Sequence, residues 1–421
     1  MQASLPAIST TTSDPTSQDC QRTTTVASRH QFAKLQHHLA QQLRPFKAPW
    51  WLKNAHLQTI LAKYLAPRCA LNTQAEMVEL PDGDELQLNW SQTPAAENGA
   101  AIVVILHGLE GNIDSHYIQQ TMDALRQSGQ AAVLMHFRGC AGRPNKRTRA
   151  YHSGDTADFA VVLQLIQQRY PQSPLFAVGF SLGGNVLAKY CGEIGANNPL
   201  TAAMVIGAPL QLAASASRIN QGFSKRYQTY LLGRLKRNLQ RKMQHHADFP
   251  LTITSAQWRS LQTIRQFDEL YTAPIHGFRN ADDYYQRSSA LPYLTKVAIP
   301  MLLIHADDDP FLSPSVLPTD AQLSDCIMLV RSTHGGHIGF VEGSWPWQRR
   351  YWLSHAITTF VGVILDALRP QRSDNASETV TSYHSSVNHS AVNNSAANRS
   401  AAVHHATDDS QAETSVTHQG V

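Results

Sequence analysis

The chain has 421 residues, with 35 Lys and Arg against 31 Asp and Glu, so its formal net charge is only +4. This balance gives no indication of a nucleic-acid-binding protein. The five cysteines are scattered without CxxC spacing, which argues against a disulfide framework or a zinc site and indicates a reducing compartment. We find no signal peptide and no apolar run of about 18 residues, and therefore expect a cytoplasmic protein.

The two ends of the chain differ in composition from the middle. Residues 371–421 contain no Leu, Ile, Phe, Met, Trp or Cys, and residues 1–30 are rich in Ser and Thr. Such segments bury too little apolar surface to offset their chain entropy, so we expect both to be disordered. Residues 31–370 then form one α/β domain with an insertion.

The first elements in chain order are a helix and a hairpin. Apolar residues recur at helical spacing from Phe32 to Leu43, and Pro45 ends that helix. Two strands, 76–80 and 86–90, flank a Pro-Asp-Gly-Asp turn. Apolar runs typical of buried strands follow at 101–106, 131–137, 175–180, 202–206 and 300–305. Because helical patterns alternate with these runs, we predict a mostly parallel central sheet with helices on both faces.

The pattern changes at about 210–290, where we predict a helical cap inserted after a sheet strand. Residues 218–242 hold eight Lys or Arg and no acidic residue, interleaved with leucine and aromatic side chains. Two interpretations stay open. Either the apolar face of this helix covers the active site and its cations are solvated, or the helix rests on an anionic membrane. The second interpretation makes the protein peripheral at the inner membrane surface.

The strongest motif is GFSLGGN at 179–185, which follows a predicted strand and precedes a helical pattern. In this context a GxSxG sequence is specific, because the sharp turn needs small residues on both sides of the serine. The turn lifts the Ser181 hydroxyl above the sheet edge. It also directs the backbone N–H of Leu182 and the positive end of the helix to the same point. We therefore predict Ser181 as a nucleophile.

A serine nucleophile needs a base that is held by a third group, and in this arrangement the acid and base follow in the order Ser, Asp, His. Three consecutive aspartates at 307–309 end an apolar strand, and a Gly-rich loop with His334 and His337 follows the next strand. We predict Asp309 as the acid because it precedes a proline, with Asp308 as the alternative. We predict His337 as the base. A cation site at the aspartates is the rival interpretation, although no second carboxylate cluster completes a ligand shell.

A fourth motif, HGLEGN at 107–112, directly follows the strand 101–106. Its small residues allow the backbone N–H of Leu109 to approach the carbonyl oxygen of a bound ester. With the N–H of Leu182 this would complete an oxyanion hole. Dinucleotide and P-loop signatures are absent and the paired histidines lack ligand partners, so we expect neither a cofactor nor a metal.

Together these motifs resemble the bacterial YheT-like hydrolases and the eukaryotic ABHD1-, ABHD2- and ABHD3-type enzymes of the α/β-hydrolase superfamily. Matching segments are NAHLQT at 54–59, HGLEGN at 107–112, HFRGC at 136–140, YHSGDT at 151–156, GFSLGGN at 179–185, TAP at 272–274, GF at 277–278, DYY at 283–285, DDP at 308–310 and GGHIGF at 335–340. The resemblance implies an α/β-hydrolase fold with a helical cap and a triad of Ser181, Asp309 and His337. It also implies hydrolysis of short- or medium-chain esters and acylglycerols.

The sequence thus predicts a serine carboxylic-ester hydrolase that forms an acyl-enzyme with a small-molecule acyl ester. Acyl transfer to an alcohol on the same triad is one alternative, which a transesterified product would reveal. A ligand-binding protein without turnover is another, which labelling of Ser181 by a fluorophosphonate would exclude. The charged residues around Arg138 and at 151–155 are predicted to form a buried polar network beside the site.

Overall fold

A computed structural model of the chain describes residues 32–66, 69, 71–92, 94 and 100–369. The segments that we expect to be disordered, 1–30 and 371–421, lie outside the described residues. None of the described helices is long and apolar enough to span a bilayer.

An eight-stranded sheet forms the centre of the fold. Its strands are β1 (Gln74–Glu79), β2 (Glu85–Trp90), β3 (Ile102–Leu106), β4 (Ala131–Met135), β5 (Leu175–Phe180), β6 (Ala202–Ile206), β7 (Met301–Ala306) and β8 (Ile327–Ser332). Their spatial order is β1-β2-β4-β3-β5-β6-β7-β8. The predicted hairpin β1–β2 is antiparallel and β2 runs antiparallel to β4, whereas every pair from β4 to β8 is parallel. The prediction of a mostly parallel sheet is confirmed.

The described helices lie on both faces of the sheet and in an insertion between β6 and β7. They are α1 (32–42), α2 (Ala55–Leu65), α3 (His116–Gln127), α4 (Ala157–Arg169), α5 (Leu182–Ile194), α6 (Leu212–Ile219), α7 (Ser224–His245), α8 (Ser255–Ser260), α9 (Ile264–Phe267), α10 (Ala273–Ile275), α11 (Ala281–Ser288) and α12 (Trp352–Leu368). A two-stranded antiparallel pair, β9 (Val341–Glu342) and β10 (Arg350–Tyr351), precedes α12.

The central strands are buried on both sides because successive side chains of a strand point to opposite faces. In β3, Val104 packs with α4 and α5 on one face, whereas Val103 and Ile105 pack with α1, α3 and α12 on the other. The β-branched residues of this strand suit a pleated, fully buried position. The sheet is therefore a rigid base whose strand ends carry the loops of the site.

The chain between β6 and β7 forms the predicted helical cap, which contains α6 to α11. Three leucines of the long helix α7 face inward and share a small apolar core with α9. The buried members of this core are Leu232, Leu235, Leu239, Leu261, Phe267 and Tyr271. These leucines are therefore not available to insert into a lipid surface, which agrees with the first of the two interpretations of this helix.

The expectation that all cations of 218–242 are solvated is wrong for Lys242. This side chain is buried, and its ammonium group donates to Asn145 Oδ1 and to the carbonyl oxygens of Arg147 and Arg149. Burial lowers its pKa to about 8. Because its three hydrogens all meet acceptors, Lys242 ties α7 to the loop after β4.

Candidate active site

Ser181 lies in the turn between β5 and α5 with φ +50° and ψ −118°, a strained backbone for a residue other than glycine. The turn is possible because glycines flank it. A Cβ atom on Gly179 would lie 2.5 Å from the carbonyl oxygen of Gly183, and one on Gly183 would lie 2.5 Å from that of Leu106. The spacing of small residues in the motif therefore reflects backbone-to-backbone contact, as the sequence predicts.

The predicted base contacts this serine, and the predicted acid contacts the base. The Nε2 atom of His337 lies 3.0 Å from Ser181 Oγ, and its Nδ1 atom lies 2.8 Å from Asp309 Oδ2. The second oxygen of Asp309 accepts the backbone N–H of Phe311 at 2.8 Å. Because an ionised carboxylate only accepts, it holds the imidazole with the proton on Nδ1 and leaves Nε2 facing the hydroxyl. The Phe311 ring stacks on the imidazole at a centroid distance of 3.9 Å.

The neighbouring aspartates have other partners. Asp308 Oδ1 accepts the backbone N–H of Gly336 at 2.9 Å, and its Oδ2 lies 3.5 Å from Nδ1 of the half-exposed His334. Burial raises the pKa of Asp308. Asp307 pairs with Arg331 at 2.9 Å. Of the three aspartates, Asp309 is thus the one that contacts His337, and the alternative Asp308 instead shapes the loop that carries the base.

Helix α2, near the N-terminal end of the described domain, contacts the loop that carries the base His337. The backbone N–H of His337 donates to Thr59 Oγ1 at 2.9 Å, and that hydroxyl donates to the carbonyl oxygen of Ala55 at 2.8 Å. A Cβ atom on Gly336 would lie 2.5 Å from the same carbonyl oxygen, so only glycine allows the loop to sit against the helix. The position of the base therefore depends on α2.

Gln58 fastens the same helix to strand β9. Its buried amide donates to the carbonyl oxygens of Leu52 and Val341 and accepts the N–H of Val341, all at 2.9–3.0 Å. Asn54 caps the helix by accepting two backbone N–H groups. Sequence reasoning noted this segment only as part of a resemblance and missed the roles of Gln58 and Thr59. The available signal was a Gln-Thr pair inside an otherwise apolar helical run.

The loop after β3 approaches the serine from the other side. His107 is fully buried, and burial lowers its pKa to about 3. Its Nε2 accepts the N–H of Phe137 at 3.1 Å, so its Nδ1–H donates to the carbonyl oxygen of Gly108 at 2.7 Å. The N–H of Gly108 donates to the Tyr117 hydroxyl at 3.0 Å. His107 is thus a structural residue that fixes the loop.

Leu109 and Leu182, whose backbone N–H groups are the predicted oxyanion donors, line the same cavity as Ser181. The two loops that carry them are in contact, since a Cβ atom on Gly108 would lie 3.2 Å from Ser181 Cβ. Among the described residues neither N–H has a hydrogen-bond acceptor, in contrast to that of Gly108. Both donors are thus available to a ligand.

The cavity between the sheet and the cap has a volume of about 850 Å³, which is enough for a drug-sized ligand. Its cap wall is largely apolar and includes Leu231, Leu235, Leu239, Phe267 and Tyr271. A buried carboxyl group, that of Asp268, also lines it and accepts from the hydroxyls of Tyr285 and Thr272 at 2.7 Å. Burial raises the pKa of Asp268 to about 6.

The predicted polar network beside the site is confirmed. The Arg138 guanidinium is 2% exposed and donates twice to Asp158 at 2.7 Å, once to Asp82 at 2.7 Å and once to Asp84 at 2.8 Å. Three carboxylates around one guanidinium satisfy a charge that would otherwise be costly to bury. The network joins the β1–β2 turn, the end of β4 and α4.

The sequence profile described as the alpha/beta hydrolase fold matches residues 101–344. YheT of Escherichia coli, which bears an esterase name, is 40% identical over 316 residues that cover 75% of this chain and 92% of that protein. Mouse phospholipase ABHD3 is 29% identical over 307 residues, or 72% and 74% of the two chains. Medium-chain fatty acid ethyl ester synthase/esterase 2 of Saccharomyces cerevisiae is 32% identical over 284 residues, or 62% and 61%. The chain belongs to the α/β-hydrolase family and, within it, to the YheT and ABHD3 type.

Proposed function

We propose that the protein is a serine hydrolase that cleaves carboxylic esters through an acyl-enzyme intermediate. The observation that carries this proposal is the hydrogen-bonded series from Asp309 through His337 to Ser181 in the wall of a large apolar cavity. A serine hydroxyl becomes a useful nucleophile only beside such an oriented base. The names of the YheT and ABHD3 relatives support ester cleavage.

In the first half-reaction, Ser181 Oγ attacks the ester carbonyl carbon while His337 Nε2 takes the hydroxyl proton. The imidazolium that forms is stabilised by Asp309, which stays ionised. The negative charge on the carbonyl oxygen is stabilised by the N–H groups of Leu109 and Leu182. Collapse of this intermediate breaks the bond to the alkoxy oxygen, and His337 returns the proton to the departing alcohol.

In the second half-reaction, His337 takes a proton from water as the water oxygen attacks the acyl-enzyme. The same two N–H groups stabilise the second oxyanion. Collapse then releases the carboxylic acid and restores the Ser181 hydroxyl with the proton held on His337. The reaction consumes one water per ester and needs no group beyond those of the chain.

The apolar cap wall favours an acyl chain as the part of the substrate that enters the cavity. We propose short- to medium-chain acyl esters or acylglycerols as substrates. A series of p-nitrophenyl esters from acetate to palmitate measures the preferred chain length. A maximum of kcat/KM at an intermediate length supports this assignment, whereas the highest value with palmitate contradicts it.

The nucleophile is tested by Ser181→Ala, which removes only the attacking oxygen. We expect ester turnover to fall by about 10⁴- to 10⁶-fold, with an unchanged circular dichroism spectrum. Ser260→Ala, at an exposed serine of the cap, is the matched control and keeps full turnover. A fluorophosphonate probe should label the wild type and the control but not Ser181→Ala. An active Ser181→Ala variant, or an unlabelled wild type, refutes the assignment and leaves a ligand-binding protein.

Acyl transfer is the second candidate, because the yeast relative is named both a synthase and an esterase. An alcohol that replaces water in the second half-reaction would yield a new ester with the same residues. Incubation of a butyrate ester with increasing ethanol, followed by gas chromatography, measures the ratio of ethyl butyrate to butyric acid. A ratio that exceeds the molar ratio of ethanol to water indicates a preference for the alcohol.

A further inference from the structure

Exposed aromatic side chains are concentrated in three segments of the chain, 47–66, 218–246 and 343–351. Of the nine large hydrophobic side chains that are exposed in the described residues, seven belong to these segments. Trp50, Tyr64 and Trp347 are 67%, 73% and 72% exposed. Single exposed hydrophobic residues are ordinary, whereas a group of this size marks an interaction surface. We refer to the exposed side chains of the three segments as the aromatic face.

The three segments adjoin one another. Trp345 contacts Trp50 at a ring-centroid distance of 5.7 Å and stacks on Trp347 at 5.4 Å, which joins 343–351 to the start of α2. At the other end of α2, Lys63 Nζ lies over the ring of Tyr230 at 6.0 Å. Between these points, the exposed Phe223 packs on His56 at 4.5 Å. The aromatic face is therefore continuous along α2.

The aromatic face is also strongly basic. Its three segments contain thirteen Lys and Arg residues and no Asp or Glu, although the whole chain is nearly balanced. Nine of the thirteen cations are exposed, whereas Lys242 is buried in the cap. Among the described residues, the single ion pair formed by these thirteen cations is that of Arg350 with Glu342 at 3.6 Å. Almost all of the positive charge is therefore left uncompensated by carboxylates.

The cavity of the candidate active site opens within this face. Lys63, Tyr64 and Tyr230 are exposed and also line the cavity, so they mark its mouth, which the exposed Asp114 borders on the side outside the face. A ligand that enters the cavity from the aromatic face would pass between α2 and α7. The position of the mouth thus links the surface to the site.

We propose that the aromatic face docks the protein on an anionic lipid bilayer, with the mouth of the cavity turned toward the lipid. Trp and Tyr favour the boundary between water and hydrocarbon, because one part of each ring system is apolar and another part forms hydrogen bonds. Uncompensated Lys and Arg are attracted by anionic headgroups. An acyl ester could then leave the bilayer for the cavity without crossing water. This last step rests on the proposed ester hydrolysis, whereas the docking itself does not.

The docking surface differs from the one that the sequence indicated. The leucines of α7 pack inside the cap, so the apolar contact comes from exposed aromatic side chains, most of which lie outside α7. Two double variants test it without touching the cavity lining: Trp50→Ala with Trp347→Ala, and Lys53→Gln with Lys225→Gln. Met77→Ala with Leu368→Ala is the matched control, since both residues are exposed hydrophobics outside the face.

The measurement is flotation with vesicles of equimolar phosphatidylglycerol and phosphatidylcholine at low salt. We expect the wild type and the control to float, and to remain unbound with pure phosphatidylcholine. Loss of two cations should weaken partitioning by about 30-fold, as about 1 kcal/mol per cation implies. The tryptophan variant should also lose most of its binding.

No flotation of the wild type at low salt overturns the proposal, as does flotation of both aromatic-face variants at the level of the control.

Stacked aromatic rings among cations can also bind single-stranded nucleic acid. Tighter binding to an oligonucleotide than to the vesicles, lost in the same variants, would assign the face to nucleic acid and likewise overturn it. Turnover of a soluble ester is measured in parallel. If the wild type shows no turnover of this ester, the proposed hydrolysis is refuted, whereas the docking result still stands.

Discussion

Replacement of Asp309 by Asn tests the tautomer that the geometry imposes on the base. In the wild type, one carboxylate oxygen accepts the Phe311 N–H and the other accepts His337 Nδ1–H. An asparagine whose oxygen keeps the Phe311 contact turns its NH₂ group toward Nδ1. The imidazole must then carry its proton on Nε2, which faces Ser181 and can no longer accept the hydroxyl proton. We expect turnover to fall by about 10⁴-fold, which corresponds to about 5 kcal/mol of transition-state stabilisation.

Asp308→Asn is the matched control one residue away. An asparagine there can still accept the Gly336 N–H through its oxygen, so we expect turnover within about tenfold of the wild type. The assay is kcat for p-nitrophenyl butyrate, with thermal unfolding measured on both variants to exclude loss of fold. If Asp308→Asn loses about 10⁴-fold while Asp309→Asn stays active, the assignment of the acid is wrong.

Three further changes probe the surroundings of the triad. Thr59→Val removes the acceptor of the His337 N–H and should lower kcat about tenfold, whereas Thr59→Ser should restore it; equal kcat for both would contradict the positioning role. Gly183→Ala places a methyl group against backbone oxygens and should cost about 1–3 kcal/mol of unfolding free energy. Gly362→Ala, with no neighbour within 4 Å, should instead stabilise α12 by up to about 1 kcal/mol, as measured by urea unfolding. Burial raises the pKa of Asp268 to about 6, above its unfolded value, so this group lowers stability as the pH rises from about 4 to 6. Asp268→Asn should therefore increase the free energy of unfolding more at about pH 8 than at about pH 5, and an equal increase at both would contradict the argument.

The sheet and the nucleophile could be predicted because local sequence determines them. The strand at 175–180 has the same bounds in the sequence prediction and in the structure, since its apolar run ends at a turn that only small residues allow. Asp309 was preferred to Asp308 because a proline follows it and because hydrolases of this type place the acid there, while Asp308 stayed open as the alternative. These features depend on neighbours within a few residues.

Features that depend on distant partners could not be predicted from the sequence. The roles of Thr59 and Gln58 arise from contacts with residues 278 and 283 positions away. The polar Gln-Thr pair is visible in the sequence, but its partners are not. The sequence left two interpretations of the basic cap helix open for a related reason. Composition shows that α7 is amphipathic, but only packing decides that its leucines face α9 and that Lys242 is enclosed by the loop after β4.

The contact of Thr59 with His337 has a consequence for the order in which parts of the site can form during synthesis of the chain. It joins positions 278 residues apart, so during synthesis it can form only after the C-terminal loop has been added to the chain. A nascent chain can form the Ser181 turn once β5 has paired with β3 and α5 has packed on the sheet. The base gains its contact with Thr59 only when the C-terminal loop meets α2. The serine is thereby kept without its oriented base until both ends of the domain have met. The complete triad geometry therefore depends on a contact between an early and a late segment of the chain.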